Sequence, residues 1–543
     1  PGMPAFRNTD SNLLLSYAEE APASDLALTV HMQNITKTLT KNVLASSLMQ
    51  RNLGRLVPQL VSTALPSTAV VVKPPVDPVP TPVPTPVAQG PLFGDAFGIN
   101  IKSEKITKPE MDMIAALGIK RVRTSITWYA VEQQKGKYYW NFDLPRQSDA
   151  DDYAVKPWFD YDSFLAALKE RKLHPDVTLH EGSFVYGKLI NMAPVGSSPE
   201  YRLSAPRTDT ELAAFAAFAA ATVQHYKGIY GTDAFTWHIW NEPDTDGGFA
   251  PKTDAGIVGK MVSMACDAIK KVDPQARVMG PALGAYGDGD LRYNFIDGMF
   301  TLSNPLNCID GLTVHPYRSA VPETAPIDYA TVMQHLAKWQ PANRPLVRVA
   351  VDEWGYANDK HITVPSTQLW RNFSGEEQAA LMLRMYLTNL SNNVPLTVIY
   401  DWRDNGTDPY NWEHHFGVIG YNKEEKPAYK MFKTVWPLLS GRALQLVDFK
   451  PTNCTTHEHA LRFGTNATDS SAWTVVWTDD TASRSLLLNG AVTKIMDIFG
   501  NPVAPKVLNG GNGVTITGSP LLLQHALGTP PALACTTALA AVP

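Results

Sequence analysis

Residues 346–354 read LVRVAVDEW, an almost unbroken apolar run that ends in two carboxylates and an indole. A Val-rich run of this kind suits a strand buried on both faces, as in parallel sheets covered by helices. A segment with helical spacing follows at 376–390, then a second β-like run, LTVIYDW (396–402), then a helical stretch at 427–438. The same alternation extends toward the N-terminus. FGINI (97–101), RVRTSITW (121–128), DVTLH (176–180), FTWHIW (235–240), RVMGPAL (277–283) and GLTVHPY (311–317) read as strands. Between them, 108–117, 159–171, 209–230, 255–271, 290–302 and 328–339 have helical spacing. The fold class is therefore α/β. Eight strand–helix units over residues 92–438 predict a closed (β/α)8 TIM barrel. An open doubly wound sheet would want a Gly-rich phosphate loop after its first strand. None is there, and GAYGDG (284–289) reads as a turn.

Outside the barrel the texture changes. Residues 73–91, KPPVDPVPTPVPTPVAQGP, alternate Pro with Val and Thr and read as a semi-rigid polyproline II linker. Eight of the chain's 42 prolines lie in these 19 residues, a local concentration. The linker isolates an N-terminal segment, 1–72, in which Leu26, Val30, Ile35, Leu39, Val43 and Leu48 recur at helical spacing behind a candidate cap at Ser24 or Asp25. Three readings of it stand: a leader or pro-region, helices that dock on the barrel or on a second copy to make a dimer, and a membrane-surface helix. The oligomeric state stays open. From 439 to 525 short runs such as ALRFG, WTVVWT and VTITG, separated by Asn, Gly and Asp, predict an appended C-terminal antiparallel β-sandwich. The Ala-, Thr- and Pro-rich tail 526–543 is expected to be disordered.

Composition excludes several classes. Lys and Arg number 47 against 52 Asp and Glu, a net charge of −5, so no basic field exists to hold a nucleic acid. No apolar run reaches the roughly 18 residues of a membrane span. The four cysteines form no C-x-x-C knuckle. Cys266 and Cys308 read as buried free thiols, and Cys454 and Cys535 as a candidate pair. The clusters Glu413-His414-His415 and His457-Glu458-His459 lack metal-ligand spacing and read as solvated polar faces. No metal and no cofactor is expected.

A barrel enzyme carries its chemistry where the strands end. Here those ends hold Asn100, Trp128, His180-Glu181, Asn241-Glu242-Pro243, His315-Pro316-Tyr317, Asp352-Glu353-Trp354 and Tyr400-Asp401-Trp402, and the second strand contains Arg123. Glu242 and Glu353, on the fourth and seventh strands, would face each other across the barrel mouth. Two carboxylates so placed are what glycosidic cleavage needs: one protonates the leaving oxygen, the other attacks the anomeric carbon or activates water.

HIWNEPD (238–244) and VDEWGY (351–356), on strands four and seven of an eightfold barrel, resemble the signature of clan A of the glycoside hydrolases. The resemblance spans about 94–438. Within the clan, WNEPD, the run from Asp310 to Tyr317 and a C-terminal sandwich look most like family 39, with some likeness of Asp352-Glu353-Trp354 to family 51 arabinofuranosidases. The resemblance implies that Glu242 is the general acid/base, in an apolar setting that raises its pKa, and Glu353 the nucleophile of a retaining double displacement. It implies that Asn241 binds the sugar 2-hydroxyl and that Arg123 keeps the nucleophile ionised. His180 and His315 would line the −1 subsite, Tyr317 would orient the nucleophile and Trp402 would floor the −1 sugar. Trp128 and Trp354 are further candidates for sugar stacking. Asp352 departs from the clan pattern, where many members carry Thr, and so does the long insert 129–157 after strand two. A carbohydrate is the expected partner, outside the cell or in a periplasm. Xylosidase, xylanase and exopolysaccharide-hydrolase activities stand open, as do exo and endo cleavage. The alternatives are a non-catalytic carbohydrate-binding barrel and an arabinofuranosidase or transglycosidase of the same clan. Six N-x-[ST] sequons, among them Asn389 and Asn453, would matter in a eukaryotic secreted protein.

Overall fold

The structure, a computed structural model, describes residues 89–103, 105–141, 160–195, 198–284, 293–318, 321–358, 373–445, 451–465, 469–508 and 511–536. The N-terminal segment, and with it the predicted helices and the dimer reading, lies outside the described residues, as do 142–157 of the long insert. In chain order the first strands are β1 (Gln89–Leu92), β2 (Phe97–Asn100), β3 (Arg121–Thr127), β4 (His174–His180), β5 (Leu189–Val195) and β6 (Ser198–Leu203). Then come β7 (Thr236–Ile239), β8 (Arg277–Leu283), β9 (Gly311–Val314), β10 (Arg348–Trp354) and β11 (Thr397–Ile399). β2, β3, β4, β7, β8, β9, β10 and β11 close a parallel barrel, in which β11 pairs back with β2. Each predicted barrel strand is there. β5 and β6 form an antiparallel hairpin in the loop after β4.

Local chemistry sets the helices that wall the barrel. The helix Asp209–Tyr230 opens on a capping box, in which the Thr208 hydroxyl accepts from the Glu211 amide and Glu211 accepts from the Thr208 amide. Ser374 and Glu377 do the same for Gly375–Ser391. That helix is buried along most of its length, because barrel and sandwich enclose it from opposite sides. Phe93 packs edge to face on Tyr386 and Trp436, and Phe97 edge to face on Tyr386 and tilted on Trp436, between the barrel and this outer layer. No helix among the described residues is long and apolar enough to cross a membrane.

The remaining strands are β12 (Ala443–Gln445), β13 (Glu458–Gly464), β14 (Ala472–Thr478), β15 (Arg484–Asn489), β16 (Lys494–Asp497), β17 (Lys506–Leu508), β18 (Gly511–Ile516), β19 (Leu521–His525) and β20 (Ala532–Thr536). They form a sandwich of two antiparallel sheets, ordered β1-β12-β13-β14-β19-β16 and β17-β18-β15-β20. Val476, Leu523, Ile495, Leu486, Val514 and Leu533 fill the space between the sheets. Glu323 ties sandwich to barrel. It pairs with Arg384 at 2.7 Å and accepts from the Trp477 indole at 2.7 Å.

Three expectations are corrected. The predicted linker ends inside the fold, because Gln89–Leu92 pairs with β12 at the edge of the sandwich. The predicted disordered tail contains β20, which pairs with β15 and carries Cys535 into a disulfide with Cys454. Cys266 and Cys308 are not free thiols. The helix Ala255–Val272 packs on the 3-10 turn Pro305–Asn307, which brings their Cα atoms to 6.0 Å and joins them in a disulfide. Asn389 is fully buried and bonds Tyr329 and Thr397, so it presents no glycosylation site in this fold. Asn453, by contrast, is exposed.

Titration of the denatured, unreduced protein with a thiol reagent should find no free thiol, and four after reduction. Replacing Cys266 and Cys308 together by Ser opens a loop whose ends are 42 residues apart. Thermal or denaturant unfolding should show a loss of roughly 4 kcal/mol, since the unfolded chain regains its loop entropy.

Candidate active site

Every barrel strand end contributes to one rim, and Arg123 sits at its centre. It is 5% exposed. Its Nη1 donates to Glu353 Oε2 at 2.8 Å, its Nη2 to Asn241 Oδ1 at 2.6 Å, and its Nε lies 3.2 Å from Asp352 Oδ2. One planar fork on β3 thus binds the ends of the fourth and seventh barrel strands. Burial alone would lower the guanidinium pKa, but Asp352, Glu353 and Glu242 around it raise it.

Two consecutive acidic residues on one strand would ordinarily point to opposite faces. A bulge prevents that. Between Val351 and Trp354, β10 spends three steps where β11 spends two, from Thr397 to Ile399. Asp352 and Glu353 both turn to the interior, and Trp354 is turned out among the helices. Tyr317 Oη donates to Glu353 Oε1 at 3.0 Å. Its hydroxyl is held protonated, raised by burial and by the Glu353 charge.

Glu242 follows the end of β7 in a left-handed backbone conformation, φ 48°, two residues after Trp240 at φ 70°. Non-glycine residues in this region cost roughly 1–3 kcal/mol each and persist where the surroundings impose them. Here the Glu242 amide is held by the Ala282 carbonyl at 2.7 Å and the Trp240 amide by Leu179 at 2.9 Å. The carboxylate lies over Gly284, where a Cβ would come within 2.5 Å of its atoms. Glu242 Oε1 lies 2.7 Å from His315 Nδ1. Burial pushes Glu242 upward, as the resemblance implied. Against it, the hydrogen bond and charge of His315 and the charge of Arg123 prevail, and the carboxyl is held below its ordinary value. His315 moves the opposite way. Burial lowers it, but Glu353, Asp352 and Glu242 together push it up to about 10.

One oxygen each of Glu242 and Glu353 and a ring nitrogen of His315 lie within 4.8 Å of one another. Retaining carboxyl pairs stand ~5–5.5 Å apart and inverting pairs ~6.5–9.5 Å. By its nearest oxygens the pair here falls on the short, retaining side.

His180 sits 3.7 Å from Glu181, in a cavity of about 210 Å3 beside Glu242 that Arg202 of the β5–β6 hairpin also lines. Burial lowers its pKa, Glu181 opposes this, and Arg123 and Arg202 add to the lowering, so the ring is neutral. The three tryptophans proposed to stack sugar are not at the mouth. Trp128 is 1% exposed, starts the short helix Trp128–Val131 and donates inward to Glu132 at 2.6 Å. Trp354 is buried by the bulge. Trp402 is 2% exposed, edge-on to Tyr429 of the helix Pro427–Leu439.

Sequence reading gave no site role to Tyr400, Lys102 or Glu413. β11 ends at Ile399, so Tyr400, not Trp402, is the first residue over the rim. Its hydroxyl receives Lys102 Nζ at 2.9 Å and lies 3.2 Å from Glu413 Oε2. Glu413 is therefore not a solvated face. Burial raises its pKa, Lys102 opposes, and Glu353 and Glu242 raise it further, so it looks onto the same mouth. The one available signal was position: each directly follows or faces a strand end. His457 and His459, by contrast, share Asp479 on the sandwich surface.

A parallel barrel with two facing carboxylates on strands four and seven is the architecture of clan A glycoside hydrolases. The family model for glycosyl hydrolases family 39 matches residues 137–484, more than half of the chain, and the protein belongs to that family. Among solved structures it is similar to a family 39 glycoside hydrolase from the gut symbiont Bacteroides cellulosilyticus WH2, at 20% identity and TM-score 0.59, covering 80% of this chain and 82% of that one. It is also similar to a monomeric β-xylosidase from Caulobacter crescentus CB15, at 13% identity and TM-score 0.52, over 81% and 98% of the two chains. A family 51 α-L-arabinofuranosidase from Bifidobacterium longum matches at 12% identity and TM-score 0.53, over 81% and 97%. No curated protein matches by sequence. The chain is a glycoside hydrolase with a TIM barrel and a β-sandwich.

Gly284→Ala should drive the Glu242 carboxylate off its seat. Glycosidase kcat should fall by at least about a hundredfold, within the range of a lost general acid, while the melting temperature moves little. A stability loss that accounts for the whole activity loss would contradict this.

Proposed function

We propose that the protein is a retaining glycosidase of short oligosaccharides or polysaccharide ends, with a β-xyloside as the first substrate to test. Glu353 is the nucleophile and Glu242 the general acid/base. The observation that carries this reading is the pair of carboxylates with oxygens within 4.8 Å, each with its own dedicated donors. Glu353 attacks the anomeric carbon as Glu242 gives its proton to the departing glycosidic oxygen. A glycosyl ester on Glu353 results. Glu242, now a carboxylate, takes a proton from water as that water's oxygen attacks the same carbon and Glu353 leaves. Arg123 and Tyr317 offset the charge that returns to Glu353. Asn241, held by Arg123, presents its amide to the sugar 2-hydroxyl, and His180, Tyr400, Lys102 and Glu413 line the mouth. The xyloside choice leans on the family and on the fold shared with a named β-xylosidase.

Work outside the cytoplasm is part of the proposal. Two disulfides use all four cysteines, a pairing that oxidising compartments favour. A carbohydrate-binding barrel without catalysis is disfavoured, because both carboxylates keep complete sets of partners.

The parent, Glu242→Ala and Glu353→Ala should be incubated with aryl xylosides, arabinofuranosides and glucosides, and with xylan. Glu353→Ala should fall to background and, with azide, yield a glycosyl azide of inverted configuration. Glu242→Ala should lose about 10²–10⁴-fold on poor leaving groups. A parent that cleaves nothing, or a fully active Glu353→Ala, would sink the reading.

A further inference from the structure

Behind the two catalytic candidates lies a buried chain of ionisable groups that the double displacement does not use. His315 Nε2 lies 3.3 Å from Asp352 Oδ1, Asp352 Oδ2 lies 3.0 Å from His238 Nδ1, and His238 Nε2 lies 3.9 Å from Asp176 Oδ1. Asp176 is in turn paired with Arg121. His315, Asp352, His238 and Asp176 are all fully buried. Apolar residues of like volume would usually serve a barrel core as well or better.

The ring of His315 has a carboxylate against each nitrogen: Glu242 at Nδ1 and Asp352 at Nε2. A neutral imidazole carries only one N–H. It would present a lone pair to one of the two anions. Two arrangements avoid this with the same number of protons. In one, His315 is an imidazolium and Glu242 is ionised. In the other, the Nδ1 proton has crossed to Glu242 Oε1, and His315 keeps Nε2–H toward Asp352. The Asp352 charge, 3.3 Å from Nε2, favours a proton on that nitrogen in both, through an ion-pair contact rather than an aligned hydrogen bond. The 2.7 Å line between Nδ1 and Oε1 is then the only place where a proton moves.

We propose that Asp352, backed by His238, is a positioning residue that makes Glu242 and His315 a single proton-sharing acid/base unit. The proposal rests on Glu242 being the acid/base. It explains why Asp stands where many clan members have Thr, since Thr offers no anion to hold the far nitrogen. It also accounts for a Glu242 that is ionised at rest yet can act as an acid: its proton waits on the neighbouring ring.

The groups facing His315 are Glu242 and His238 from the fourth barrel strand, Asp352 and Glu353 from the seventh, Arg123 from the second, and Tyr317 beside it. Asp352→Asn removes one anion from this set and leaves the others. An anion favours the pair with its proton on, so removing it lets the proton leave at lower pH.

Two measurements test the proposal. Nitrogen-15 spectra of the histidine rings, with His315→Gln to assign the signal, should show His315 as an imidazolium still at pH 8 in the parent. In Asp352→Asn it should titrate near neutrality. Kinetics on the glycoside the parent cleaves best should show the alkaline limb of kcat/KM moved down by about one unit or more. The defect should be at least about tenfold with a phenol leaving group and under about twofold with 2,4-dinitrophenol, which departs without a proton. A neutral His315 in the parent at pH 7, or the same titration in both proteins, overturns the proposal. So does an equal loss on both leaving groups, which marks a merely structural role. His238→Asn should give the same pattern more weakly, and serves if Asp352→Asn fails to fold. A parent inactive on every glycoside refutes the catalytic reading instead, while the spectra still decide whether Asp352 holds the His315 charge.

Discussion

The buried guanidinium of Arg123 holds together three strand ends that would otherwise repel or drift. Asp352 and Glu353 are adjacent anions within a barrel core, and desolvating either without a partner would be prohibitive. Arg123 meets both, and its second Nη grips Asn241 on the far side of the mouth. Its planar fork makes the separation between the fourth and seventh strands a matter of fixed geometry. The separation of the two catalytic candidates follows from that geometry. A lysine could supply the charge but not three directed contacts.

Around this cation the fold accepts local costs that a purely structural barrel would avoid. β10 breaks its register so that two consecutive side chains look inward. Trp240 and Glu242 adopt left-handed backbone angles, and Gly284 gives up a side chain so that a carboxylate can lie over it. These irregularities sit on the fourth, fifth and seventh strands, at their C-terminal ends. Elsewhere in the barrel, the aromatic layer around Phe93 and Trp436 supplies packing that helps to sustain the strain.

Much of this was legible from residue order. Near-continuous apolar runs alternating with helical spacing marked all eight barrel strands, and the residues where the runs stop pointed to Asn241, Glu242, His315, Tyr317 and Glu353, while Arg123, inside the second run, came from the family resemblance. What misled was side-chain direction. Trp128, Trp354 and Trp402 end their runs as a sugar platform should, but a strand end does not reveal a bulge or a helix that begins at once. Asp352 read as a departure from the clan pattern. Only the packed structure shows it touching Arg123, His238 and His315 together. Lys102 and Glu413 lie in loops, where periodicity carries no information.

The sequence by itself determined the barrel, the sandwich and the identity of the two facing carboxylates. Those depend on hydrophobic period and on which residues terminate it, and both are local. Tertiary structure alone decided that β1 and β20 complete the sandwich, that Cys266 meets Cys308, and that Tyr400 rather than Trp402 borders the mouth. It alone decided the direction in which Glu242 is shifted as well. Burial raises Glu242, and only the distances to His315 and Arg123 show that their opposing pull prevails. Such balances depend on contacts between residues far apart in the chain, and no local pattern encodes them.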